Sequence, residues 1–179
     1  MRIIEKIKSF FKGIIDLLKV NDKINFLSLI INIIIPVAGG ALVGYVTRTA
    51  MESYQTLNKP SFSPPAIVFP IVWTILYILM GIAAYRVYNK TKDREIKGDE
   101  YFFYLVQLLL NFGWSFIFFN FKLYGLAFLW LIILLVLVII TTIKFFKVDK
   151  KAGLLMIPYI LWLAFAAVLN YYVWMLNEM

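Results

Sequence analysis

The chain has 179 residues, of which 63% are hydrophobic and 16% are charged, and its formal net charge is +8. A soluble domain of this size cannot bury so much apolar surface, so the composition indicates an integral membrane protein. Neither Cys nor His occurs in the sequence. Disulfides, thiol nucleophiles, His general bases and His- or Cys-ligated metals are therefore excluded.

The N-terminal segment predicts a surface helix rather than a membrane span. In residues 1–20, MRIIEKIKSFFKGIIDLLKV, Ile and Phe recur at helical spacing while Lys, Glu, Ser and Asp fill the opposite face. A secretory signal would instead place its charges before an uninterrupted apolar core. We expect residues 1–23 to form an amphipathic extension in the membrane interface, with its lysines toward anionic headgroups. A partner-binding helix is the alternative.

Five apolar stretches follow, each long enough to cross a bilayer. We expect these spans at about residues 24–46, 66–88, 101–121, 126–146 and 152–176. The predicted fold class is all-α: a polytopic membrane protein with a five-helix transmembrane bundle (residues 24–179) and an N-terminal amphipathic interfacial helix.

The first span and the loop after it contain two local signals. Gly40 and Gly44 form a small-x-x-x-small pattern, which lets a second helix approach closely, either within the chain or in a dimer. We expect an extramembrane loop from Arg48 to Pro65, in which Arg48 and Glu52 could pair. The end of this loop is stiff, because its prolines fix the backbone and exclude a helix: Pro60, Pro64 and Pro65.

Positive charge is distributed very unevenly between the two ends of the spans. Fifteen of the 18 Lys and Arg residues fall on the side of the N-terminus, five of them assigned to the connector between the second and third spans: Arg86, Lys90, Lys92, Arg94 and Lys97. The opposite side holds only Arg48, Lys59 and Lys122. By the positive-inside rule, the N-terminus is expected in the cytoplasm of a cell-membrane protein, with the proline loop and the C-terminus outside.

The spans themselves carry amides, hydroxyls and indoles instead of charges. The absence of Lys, Arg, Asp or Glu from the middle of any span argues against an ion-coupled transporter. Buried amides, above all Gln107, Asn111 and Asn170, are read as interhelical hydrogen bonds, with ligand contacts as the alternative.

Three tryptophans lie too deep for an interfacial belt, where Trp174 is expected. At the helical rise, Trp73 and Trp114 fall ~10 Å below the outer boundary, and Trp162 falls deeper. These rings either form packed core or line a slot for a flat aromatic ligand.

Four stretches taken together resemble one known family. They are LNKPSFSPP at residues 57–65, VWTILYILMG at 72–81, LNFGW at 110–114 and PYILWLAFAAVLNYYVW at 158–174. The chain resembles the translocator proteins, also called tryptophan-rich sensory proteins or peripheral-type benzodiazepine receptors (TspO/MBR). This resemblance implies a five-helix bundle, commonly dimeric, with a cavity open toward the loop after the first span. It also implies ligands such as porphyrins, cholesterol-like sterols and synthetic aromatic drugs.

The resemblance further implies site residues. A lid over the cavity would contain Tyr54, Phe62, Pro64 and Pro65, and the helices would contribute Trp73, Tyr77, Asn111, Trp114, Trp162, Ala166 and Asn170. Some bacterial members are described as degrading protoporphyrin in light, and by motif position Trp73 and Trp162 would then be the catalytic residues.

Two departures from the family pattern affect which class of ligand is expected. Phe62 replaces a loop tryptophan, which keeps stacking but loses the indole N–H. The sterol motif of the last helix lacks its basic residue, since Trp174 is followed by Met175, Leu176 and Asn177. A tetrapyrrole is therefore favoured over a sterol.

The expected function is a membrane receptor or sensor for hydrophobic tetrapyrroles such as protoporphyrin IX and for drug-like aromatic ligands. Alternatives are a light- and oxygen-dependent porphyrin-degrading enzyme, a facilitator of porphyrin transport, and a scaffold that recruits partners through the N-terminal helix. The expected partners are the planar ligand, anionic inner-leaflet lipid and a second copy of the chain. No cofactor, metal or nucleic acid is expected.

Overall fold

The structure, a computed structural model, describes residues 2–94 and 98–179, without the side chains of residues 2, 3, 10 and 51–53. Six α-helices occur in the described residues: α1 (Arg2–Leu18), α2 (Phe26–Glu52), α3 (Val68–Thr91), α4 (Glu100–Ser115), α5 (Tyr124–Val148) and α6 (Lys150–Asn177). A 3₁₀ turn, Ser53–Thr56, follows α2, and a π-helical turn, Phe116–Asn120, extends α4. The predicted all-α fold with five spans is confirmed.

Five of these helices are long and apolar enough to cross a membrane, with mean hydropathy between 1.7 and 3.1 over their most apolar windows. Large apolar side chains cover their outward faces, for example Leu27, Leu109 and Leu161. Such faces suit hydrocarbon rather than water. The chain is therefore a multi-pass membrane protein.

The buried core is shared by α3, α4, α5 and α6. Met80, Leu134, Met156, Tyr159 and Leu163 are all fully buried in it. Of the five spans, α2 is the least buried and packs mainly against α3.

Close approach of α2 to α3 depends on a glycine that differs from the predicted pair. A Cβ on Gly81 of α3 would lie 2.7 Å from Ile33 Cα and 2.8 Å from the Asn32 carbonyl oxygen. Gly40 faces the Tyr77 ring, and Gly44 has no neighbour within 4 Å of its Cβ position. Within one chain, the close backbone contact therefore lies two turns nearer the N-terminus of α2 than Gly40, and packing of Gly44 against a second copy stays a prediction.

Two sequence-based boundaries are also corrected. Helix α2 continues past Arg48, whose guanidinium lies 3.9 Å from the Tyr45 ring centroid, because charge ends a membrane span without ending a helix. The Glu52 side chain, the predicted partner of Arg48, lies outside the described residues, as does Lys97. Arg86 belongs to α3 rather than to the following connector and is only 4% exposed.

Candidate functional site

The proline loop is tied to the last helix, and we call residues 53–65 the lid. Asn58 donates its backbone N–H to Asn177 Oδ1 at 3.0 Å, and Asn177 Nδ2 donates to the Asn58 carbonyl at 2.9 Å. The lid backbone is tightened by Ser63 N–H donating to the Pro60 carbonyl at 3.0 Å. These contacts hold Tyr54 over the end of the bundle at which α6 ends, where its ring meets Phe69 edge-on at 5.8 Å.

A cavity of about 30 Å³, which we call the indole cavity, lies beneath Tyr54 between α3, α4, α5 and α6. Aromatic and aliphatic side chains form most of its wall. The structure brings seven of the predicted site residues to it: Tyr54, Trp73, Asn111, Trp114, Trp162, Ala166 and Asn170.

A wider space, the α2 cleft, adjoins the indole cavity and measures about 260 Å³. It lies between α2, α3 and α4, and Tyr77 lines it together with Gly40, Thr47 and Ser115. Four residues line both spaces and form the partition between them: Phe69, Trp73, Asn111 and Trp114. The sequence analysis did not find this cleft, because it arises from the packing of α2 against two distant helices.

Three predicted lid residues line neither space. Phe62 is 45% exposed and packs against Tyr172 and Phe165 on the outside of α6, with ring centroids 5.4 and 6.4 Å away. Pro64 and Pro65 shape the turn into α3, where Val68 N–H donates to the Pro65 carbonyl at 2.9 Å. The structure therefore does not bring these three residues to either space, and their contact with a ligand stays a prediction.

The three deep indoles differ in their hydrogen bonds. Trp114 Nε1 donates to Asn170 Oδ1 at 3.1 Å, whereas Trp73 stacks on Tyr77 at 5.5 Å. Trp162 contacts Phe69 edge-on at 5.9 Å, and its buried Nε1 has no acceptor among the described residues. An unpaired buried donor costs about 1–3 kcal/mol. Among the described residues that line the indole cavity, the Trp162 indole N–H and the Tyr54 hydroxyl are therefore the buried polar groups without a hydrogen-bond partner.

The two predicted amides are already used to join helices. Asn111 accepts from Tyr77 Oη at 2.8 Å and donates to Tyr159 Oη at 3.0 Å, and Tyr159 in turn donates to Gln107 Oε1 at 3.1 Å. Asn170 accepts from Trp114 and donates to the Tyr124 carbonyl at 2.9 Å. Both amides thus act first as interhelical hydrogen bonds and position the rings around them.

Sequence reasoning missed two aromatic residues that belong with this site. Phe69 lies one turn before Trp73 on α3, and Tyr159 lies one turn before Trp162 on α6. Side chains at i and i+3 or i+4 share a helix face, so this spacing was the available signal. In the parts of the chain that the structure describes, no group of three or more Asp or Glu residues is placed to hold a metal ion.

Comparison with known proteins gives one family, both from the family profile and from individual relatives. The sequence profile of the TspO/MBR family matches residues 32–175. The chain is similar to "Tryptophan-rich protein TspO" of Chlorobaculum tepidum, at 35% identity over 157 residues, which cover 88% of this chain and 99% of the relative. It is 39% identical to "Tryptophan-rich sensory protein" of Cereibacter sphaeroides over 126 residues, covering 70% and 77% of the two chains. It is 36% identical to "Translocator protein" of Homo sapiens over 142 residues, covering 78% and 84%.

Proposed function

Because this chain belongs to the TspO/MBR family, we propose that it is a membrane receptor that binds a planar hydrophobic tetrapyrrole, such as protoporphyrin IX, in the indole cavity. The observation that carries this proposal is the Trp162 indole, whose buried N–H lacks an acceptor in a wall of aromatic rings. A flat π-system with hydrogen-bond acceptors at its edge satisfies both features, since aromatic faces stack and the indole N–H donates.

The volume of the indole cavity limits how a ligand can enter it. Pockets for drug-sized molecules span about 300–1,000 Å³, so the indole cavity alone is too small. The adjoining α2 cleft measures about 260 Å³ and shares four lining residues with it. We propose that rotation of Phe69 or Trp73 joins the two spaces, and that displacement of Tyr54 opens the joined space toward the lid when a ligand binds.

The orientation proposed from the charge distribution places this site near the extracytoplasmic surface, with the N-terminus in the cytoplasm. Asn58, Lys59 and the end of α6 share the lid end of the bundle, whereas the Lys-rich turn between α5 and α6 lies at the other. A tetrapyrrole would then reach the lid from the outer leaflet or from the medium.

The test is a titration of purified protein with protoporphyrin IX, in which the dissociation constant is obtained from porphyrin fluorescence in the dark. Trp162→Phe removes the indole donor and keeps an aromatic ring, so we expect affinity to fall about 3- to 10-fold, the equivalent of one hydrogen bond. Trp174→Phe is the matched control, because Trp174 stacks on Phe128 at 6.1 Å and lines neither space. Equal affinities for the two variants, or no saturable binding, would overturn the proposal.

Illumination separates binding from turnover. A receptor gives the same binding curve in light and in darkness, and no new absorbing product accumulates. A product that forms only in light, and only when Trp73 and Trp162 are both present, would instead support porphyrin degradation by this site.

A further inference from the structure

An ion cluster at the end of the bundle opposite the lid joins α3 to α6. Arg86 of α3 binds Asp149 through two parallel hydrogen bonds, from Nε to Oδ1 at 3.0 Å and from Nη2 to Oδ2 at 2.8 Å. Lys90 Nζ lies 2.8 Å from the same Oδ2. Asp149 also caps α6, because its Oδ1 accepts from the Ala152 N–H at 2.8 Å. A bidentate pair that is this deeply buried fixes both helices in place.

The same cluster holds the end of α1. The remaining guanidinium nitrogen of Arg86 donates to the Leu17 carbonyl and, at 2.8 Å, to the Lys19 carbonyl. Tyr85 Oη donates to the Leu18 carbonyl at 3.0 Å, and Lys151 Nζ donates to the Asp16 carbonyl at 2.8 Å. Carbonyls at a helix C-terminus lack donors of their own and favour positive charge. The last three carbonyls of α1 and the carbonyl of Lys19 that follows them are thus bound by α3 and α6.

The rest of α1 projects from this attachment with one apolar face uncovered. Its side chains Ile4, Ile7, Ile14 and Ile15 are between 39% and 60% exposed. Lys6, Lys8 and Lys12 are exposed on the remaining surface of the same helix. At 100° per residue, Lys8 and Lys12 border the apolar face on one side and Lys6 borders it on the other. A continuous apolar row of this length calls for an apolar partner.

The position of the attachment identifies that partner. Arg86 lies near the end of α3 and Lys151 lies in the first turn of α6, so the C-terminal end of α1 is held where two membrane spans leave the bilayer. Further basic residues surround this boundary: Lys90, Lys92, Lys144, Lys147 and Lys150. Basic residues beside spans are attracted to anionic lipid at about 1 kcal/mol each. An apolar face bordered by lysines at that depth matches an anionic phospholipid surface.

We propose that α1 is a docking helix for an anionic phospholipid surface, clamped to the bundle at its C-terminal end by Tyr85, Arg86 and Lys151. The helix inserts its isoleucine face among acyl chains, and Lys6, Lys8 and Lys12 bind lipid phosphates. This proposal is independent of the tetrapyrrole site.

Because the chain contains no cysteine, a single Cys provides a unique label in the full-length protein. Ile7→Cys and Ser9→Cys place a bimane fluorophore on opposite faces of α1, about 160° apart. Each labelled protein is reconstituted in vesicles of phosphatidylcholine, with or without phosphatidylglycerol. Quenching is measured with a lipid that carries a nitroxide high on its acyl chain, and separately with aqueous iodide.

We expect the Ile7→Cys label to be quenched by the lipid nitroxide and protected from iodide, with the reverse for Ser9→Cys. Lipid quenching at residue 7 should weaken without phosphatidylglycerol. With phosphatidylglycerol present, Lys8→Gln should lower the docked-to-free ratio about fivefold. Equal iodide access at both positions would overturn the proposal, and protection of residue 7 from both quenchers would overturn it in favour of a protein contact.

Discussion

Asn58 in the lid and Asn177 at the end of α6 exchange two hydrogen bonds, of 3.0 and 2.9 Å, across 119 residues of sequence. Because α6 also carries Trp162 and Asn170, one helix both walls the indole cavity and holds its cover closed. Motion of the lid and access to the cavity are therefore coupled through a contact that touches no ligand.

Release of this latch should speed ligand exchange. Asn177→Ala removes both bonds, each worth about 0.5–1.5 kcal/mol, so the lid should open roughly tenfold more often. Association and dissociation rates of protoporphyrin should both rise, with a smaller change in their ratio. Hydrogen exchange of residues 54–63 provides an independent measurement, and unchanged exchange there would contradict the latch.

Gly81 should be intolerant of any side chain. Gly81→Ala forces a methyl group to within 2.8 Å of the Ile33 Cα and the Asn32 carbonyl, both of which are backbone atoms of α2. Overpacking of this kind costs about 1–3 kcal/mol. Gly44→Ala is the control, since nothing lies within 4 Å of its Cβ position and alanine favours helix. Thermal unfolding in detergent should show a lower midpoint for the first variant alone.

Asn170 should stabilise the fold more than it binds ligand. Asn170→Leu leaves the Trp114 indole N–H and the Tyr124 carbonyl without their partner. Interhelical hydrogen bonds in membrane proteins contribute about 0.6–1.7 kcal/mol, so the unfolding midpoint should fall. Protoporphyrin affinity should fall less than in Trp162→Phe. A variant with normal stability and no binding would show that the amide contacts ligand directly.

The Arg86–Asp149 pair should give stability that is lost only in strong acid. Burial raises the pKa of Asp149, but hydrogen bonds from Arg86, Lys90 and the Ala152 N–H outweigh it and hold the pKa well below its ordinary value of about 3.9. Stability from a lowered pKa is fully present above the ordinary value and disappears as pH falls toward the folded value.

Asp149→Asn should therefore cost about 3–5 kcal/mol at neutral pH, because it leaves Arg86 buried without its counter-charge. The gap in unfolding midpoint between this variant and the unmodified protein should narrow only below the ordinary pKa. Lys144→Gln is the control: its partner Asp99 is exposed, and the change should be small at every pH. A difference in unfolding midpoint that already disappears near neutral pH would show that the Arg86–Asp149 pair is not the source of the lost stability.

Hydropathy alone predicted the five spans, because a bilayer requires about 20 apolar residues whatever the helix packs against. Helical depth singled out Trp73, Trp114 and Trp162, and the family resemblance named the other predicted residues that line the indole cavity. Contacts between distant segments could not be predicted from the sequence. Asp149 lies 63 residues from Arg86, and a hydropathy average over a long window hides a single charged residue such as Arg86. The packing of Phe62 against the outside of α6 could not be predicted either, because the sequence of the lid does not show which helix face its side chains contact.

The most direct test of the central claim is nitrogen-15 NMR of the five indole N–H groups during titration with protoporphyrin IX. The Trp162 resonance, identified by its loss in Trp162→Phe, should shift downfield and saturate as its N–H gains an acceptor. The Trp174 resonance should remain in place. A Trp162 resonance that stays unchanged while the protein is saturated with ligand would contradict the proposed site.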